Sequence, residues 1–196
     1  MKEYTFIDFE TTGLEPEDAF VIEVAAIKVR EDGEELGRYE TMAALPEEEN
    51  VPDFITRLTG ITDDELVGAP SEREALNGLK EFIGESIVVA HHAPFELGFL
   101  KVAGDYEPER FICTRVMARL LEPDESAKLV DVTKRYGVTL DGHHRALNDC
   151  EATAEIFFKM KPLAEEKGIE YENHVLDSSE RRLNFFPKHT KHVTEF

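Results

Sequence analysis

Residues 6–14, Phe6-Ile7-Asp8-Phe9-Glu10-Thr11-Thr12-Gly13-Leu14, decide how this chain is read. From Tyr4 to Phe9 the residues alternate and are rich in β-formers, which predicts a first strand. Residues two apart on a strand share a face. Asp8 and Glu10 therefore point one way, and Ile7 and Phe9 point to the opposite, apolar face. Two adjacent carboxylates repel and raise each other's pKa unless a cation lies between them. The blander alternative is a solvated polar face on an edge strand.

Outward from this stretch, Phe20 to Val29 and Gly37 to Ala44 read as two further strands, joined across Asp32-Gly33 as an antiparallel hairpin. Asp53 to Leu58 reads as a helical turn closed by Gly60. Ser71 and Glu74 form a capping box that opens a helix running to Ile83. Short apolar strands are expected at Ser86–Ala90 and Arg110–Cys113, and helices over Pro94–Val102, Arg115–Leu121 and Leu129–Tyr136. Ala146 to Glu166 is the strongest helical pattern, with Pro162 as a candidate break. A meander followed by alternating helices and strands predicts an α/β domain with a mixed central sheet flanked by helices. We expect that domain to span residues 1–167 and a C-terminal tail, 168–196, to dock on it. Phe6, Ile7, Phe9, Val24, Val88, Val89, Phe99, Leu100 and Ile156 are the expected core.

Two other segments bring acids into unusual settings. In His91-His92-Ala93-Pro94-Phe95-Glu96, a buried strand ends in two histidines and Glu96 follows on the first turn of a helix. Alone, such a Glu merely complements the helix dipole. In Gly142-His143-His144-Arg145-Ala146-Leu147-Asn148-Asp149, His144 and Asp149 lie five apart across a loop-to-helix junction. Taken together, four carboxylates and a histidine suit a site for two divalent cations, Mg²⁺ or Mn²⁺, which prefer oxygen ligands. Such a pair clamps the attacking and leaving oxygens of a phosphodiester, while a neutral imidazole takes a proton from water.

The composition is that of a single globular domain, with 41% hydrophobic residues in 196. Cys113 and Cys150 are isolated, which argues against a zinc site or a disulfide framework. With neither a signal peptide nor a membrane span to be read, the expected location is cytoplasmic. The formal net charge of −20 argues against a broad basic face for polyanions, unless bound cations or a local basic patch compensate. Arg145, Arg115 and Lys101 are the cations expected nearest the site. The tail carries His174, His189 and His192 beside Arg181, Arg182, Lys188 and Lys191, so it is nearly neutral while the body holds the negative charge.

The three segments resemble the three motifs of the DnaQ-like, DEDDh-type 3′–5′ exonucleases, over roughly residues 3 to 165. Thr59-Gly60-Ile61-Thr62 and Glu151-Ala152-Thr153-Ala154 add to the likeness. The family has an RNase H-like fold and includes the proofreading epsilon subunit of DNA polymerase III, the exonuclease insert of Gram-positive replicative polymerases, and RNase T. The resemblance implies that Asp8, Glu10, Glu96 and Asp149 hold two metal ions and that His144 is the general base. It places the 3′-terminal nucleotide against Thr11, Thr12, Gly13 and Leu14, with His92 at a substrate contact. The implied substrate is a single-stranded 3′ end, DNA before RNA, and the implied partner is a polymerase acting in trans.

The second motif departs from the family pattern. His92 stands where Asn is usual, and Glu96 where Asp is usual, which moves the carboxylate by about 1.5 Å. The competing expectation is a catalytically weakened module that binds nucleic acid or a protein partner.

Overall fold

The computed structural model describes residues 1–177, 183 and 185–193. Arg181 and Arg182 of the tail lie outside the described residues. A five-stranded sheet runs in the order β3-β2-β1-β4-β5. It is built from β1 (Glu3–Thr11), β2 (Val21–Arg30), β3 (Glu35–Met42), β4 (Ile87–Ala90) and β5 (Phe111–Cys113). β1 pairs antiparallel with β2, and β2 with β3, while β4 is parallel to both β1 and β5. The mixed sheet is thus the one the sequence pattern predicts, and β1 is its central strand rather than an edge.

The helices α1 (Asp53–Thr59), α2 (Asp63–Leu66), α3 (Glu72–Ile83), α4 (Ala93–Val102), α5 (Thr114–Leu121), α6 (Leu129–Tyr136) and α7 (Ala146–Glu166) complete the body. The two faces of β1 divide the core. Tyr4 and Phe6 pack under α7, with the Phe157 ring 4.9 and 5.6 Å from theirs. Ile7 and Phe9 face α3 and α4. All nine expected core residues are buried.

Local signals explain the element ends. Ser71 and Glu74 close a reciprocal capping box at α3, and Gly60 and Gly137 terminate α1 and α6 in the left-handed region. Pro162 does not end α7, whose buried Met160 and Ala164 continue the sheet-facing stripe past it. The four-residue α2 and two short tail strands, β6 (His174–Leu176) and β7 (Lys191–Val193), were not anticipated. Val175 and Leu183 of the tail are buried in the core layer beside α3 and α4. Among the described residues no helix is long and apolar enough to cross a membrane.

Candidate active site

The polar side of β1 ends in a cleft of about 870 Å³ at the C-terminal ends of β1, β4 and β5. Asp8 and Glu10 reach it from β1. The register with β2 slips between Glu10 and Thr11, an irregularity of the kind that re-aims side chains at sites. Asp149 comes from the first turn of α7 and Glu96 from the first turn of α4. One oxygen from each of Asp8, Glu10 and Asp149 lies within 4.8 Å of the others. Glu10, Glu96 and Asp149 are all buried, while Asp8 remains partly open to the cleft.

Crowding these acids has an electrostatic consequence. Burial raises the Asp8 pKa well above the ordinary value, and the charges of Glu96, Asp149 and Glu10 raise it further. Glu96 lines the same cleft but is not in the group of carboxylates whose oxygens lie within 4.8 Å of one another. Glu10 is pushed up to about 8, first by burial and then by Asp149 and Glu23. Carboxylates packed this way favour whatever positive charge reaches them. Asp8, Glu10 and Asp149, with Glu96 in the same cleft, could therefore hold divalent ions, and their all-oxygen donor set fits Mg²⁺ or Mn²⁺.

The loop before α7 supplies both histidines. His143 Nδ1 lies 2.7 Å from Asp149 Oδ1, and the backbone N–H of His144 donates to Asp149 Oδ2 over 3.1 Å. The two rings stack at 3.9 Å, and His144 has a left-handed φ of 68°. The imidazole bonded to Asp149 is therefore that of His143, whose pKa is raised by this bond, while burial lowers that of His144.

Thr11, Gly13, Leu14 and His92 line the cleft. Thr12 does not: its hydroxyl accepts the Phe20 N–H and closes the loop after β1. Thr11 likewise donates to the Gly13 carbonyl at 2.6 Å. Lys101 is paired with Asp105 away from the cleft. Arg145 is held by Glu23 through contacts of 2.8 and 3.1 Å.

Sequence reasoning missed several contributors. Glu23 is buried opposite Glu10, binds Arg145 and accepts the Ala146 N–H, so it fixes the start of the helix that carries Asp149. A lone acid inside the apolar run Val21-Ile22-Glu23-Val24-Ala25 was the available signal. Phe54 and Leu58 of α1, and Lys128 beside α6, also line the cleft. Nothing in their local pattern separates them from ordinary surface residues.

The chain is 39% identical over 173 residues to the PolC-type DNA polymerase III of Clostridium perfringens, a match that covers 85% of this chain and 12% of that protein. The chain thus spans about an eighth of that relative's length. E. coli Exonuclease I in complex with a dT13 oligonucleotide superposes with a TM-score of 0.74 at 17% identity, over 86% of this chain and 43% of that one. The nuclease domain of 3′hExo, a DEDDh family member bound to rAMP, gives 0.72 at 20% identity, over 87% and 94%. These two likenesses establish the RNase H-like fold of the DEDDh nucleases. Residues 5–157 match the model of the RNase_T family, described as exonuclease, and the chain belongs to that exonuclease family.

Proposed function

We propose that this chain is a metal-dependent 3′–5′ exonuclease that shortens single-stranded DNA from its 3′ end and releases nucleoside 5′-monophosphates. The observation that carries this reading is the convergence of Asp8, Glu10 and Asp149, together with Glu96, on one open cleft. On this reading those four carboxylates hold two divalent ions. Bound there, the ions supply Lewis-acid stabilisation to the oxygens of the scissile phosphodiester.

The chain's own groups do the rest. Leu14, with Thr11 and Gly13 at its base, receives the terminal nucleotide. His144 takes the proton from the attacking water. Its position next to His143 lets the Asp149 bond organise the loop that presents it. His92 contacts the substrate from the start of α4. The PolC-type relatives favour DNA as substrate and association with a polymerase.

The test is degradation of 5′-labelled single-stranded DNA and RNA with Mg²⁺, with Mn²⁺ and with chelator. A ladder shortening from the 3′ end, dependent on metal and reduced by roughly 10³-fold or more in Asp8→Ala, supports the reading. No ladder with either ion points to a binding module instead.

A further inference from the structure

The cleft is lined by two kinds of group. Leu14, Phe54, Leu58 and Val130 present exposed apolar side chains. Arg115 and Lys128 are the only Arg or Lys side chains that line the cleft among the described residues. Arg115 lies on the first turn of α5, and the exposed Lys128 is the N-cap of α6.

Both positions are tied to one residue. The carbonyl oxygen of His91, just past β4, accepts the Arg115 N–H over 3.0 Å. The His91 ring spans the two segments, with Nδ1 2.9 Å from Thr114 Oγ1 and Nε2 3.0 Å from the Ala127 carbonyl oxygen. A carbonyl only accepts, so the neutral ring carries its proton on Nε2 and receives the Thr114 hydroxyl proton at Nδ1. Thr114 and Ala127 are the residues immediately before Arg115 and Lys128. His91 thus brackets both cations with three bonds.

We propose that Arg115 and Lys128 form the wall that receives the phosphates of the strand entering the cleft, and that His91 is the positioning residue for both. This rests on the nuclease reading above. A chain of net charge −20 holds a polyanion only where cations are concentrated. Neither Arg145 nor Lys101 lines the cleft. The strand then lies with its phosphates on the Arg115–Lys128 side and its bases toward Leu14, Phe54 and Leu58.

The test is binding of a short 5′-fluorescein oligothymidylate with a 3′-terminal phosphorothioate, followed by anisotropy in Mg²⁺ over ~50–200 mM salt. Each phosphate contact to a single strand contributes about 0.7 to the slope of log affinity against log salt. Lys128→Gln and Arg115→Gln should each flatten the slope by about that amount and weaken binding roughly three- to tenfold. Lys128→Arg should restore the slope, and Lys101→Gln, outside the cleft, should leave it as it is. His91→Gln should flatten the slope as both cation variants do, with Lys128→Gln adding little on top of it. A merely structural role for His91 would lower Tm and leave the slope alone. If His91→Gln does not fold, the two cation variants decide the phosphate wall. The proposal is overturned if the wild type binds or degrades the oligonucleotide while Lys128→Gln and Arg115→Gln keep its slope. A wild type that neither binds nor degrades in metal overturns the nuclease reading, and the proposal with it.

Discussion

At the scale of single residues, the metal-free chain carries a measurable electrostatic penalty. Glu10 titrates near 8 in the folded chain against an ordinary value of 4.5, and Asp8 is raised in the same direction. Between about pH 4.5 and 8 the folded state keeps a proton that the unfolded state has lost. Stability with chelator therefore falls as pH rises through that window and is greatest below it. We expect Tm to drop by ~5 °C or more from pH 5 to 8, to recover on adding Mg²⁺ or Mn²⁺, and to drop less in Glu10→Gln. A flat profile with chelator would show that the carboxylates are not crowded. What was legible here followed from period and spacing: Asp8 and Glu10 share a face because strands alternate, and Asp149 sits on a first helical turn. Glu23 was not legible as an anchor, because its partners Arg145 and Ala146 lie more than a hundred residues away in sequence. Nor was it legible that the imidazole bonded to Asp149 is that of His143 rather than that of His144. Both rings bring a nitrogen within 4.8 Å of an Asp149 oxygen, and spacing does not reveal which of them bonds it.

At the scale of elements, long periodic segments were readable, and so were the short apolar runs of β4 and β5, whereas α2, β6 and β7 were not. The apolar stripe of α7 was visible through Pro162 because Ile156, Phe157, Met160 and Ala164 all meet the sheet or its covering helices. That packing outweighs the one backbone bond a proline removes. β5 shows as a wholly buried apolar run, whereas β6 and β7, three residues each and largely unburied, show neither a run nor a period. The capping box from Thr62 to Glu65 was an available signal for α2. Close packing also sets how α4, which carries Glu96, leaves its last turn. A Cβ at Gly104 would lie 2.8 Å from the Leu100 carbonyl oxygen and 3.3 Å from Leu76 Cβ on α3. The first of these is backbone, so the turn itself must move. Gly104→Ala should cost about 1–3 kcal/mol in urea unfolding, with the sheet retained by circular dichroism. An unchanged midpoint would mean that α4 and α3 separate freely.

At the scale of the whole molecule, the described part of the tail closes an exposed flank. β5 is the last strand of the sheet, and an outer strand offers unpaired backbone groups to other chains. Here the tail meets that edge. Ile112 forms an isolated antiparallel bridge with Glu172, the Asn173 N–H donates to the Phe111 carbonyl at 2.8 Å, and the Asn173 side-chain oxygen accepts the Phe111 N–H at 2.8 Å. Val175 then buries fully in the layer that holds Phe99 and Phe111, and Gly98 of α4 comes close to Phe185. The expectation of a docked tail was drawn from a change in composition after Gly168, and composition says nothing about where such a tail attaches. The edge of β5 supplies the physical reason for attachment. A chain ending at Gly168 should lose those backbone bonds and the burial of Val175 together. We expect a Tm lower by several degrees and a concentration-dependent rise in mass by light scattering, because the bared edge of β5 pairs with a second copy. If the shortened chain stays monomeric with its Tm unchanged, the tail contributes neither stability nor protection to the sheet.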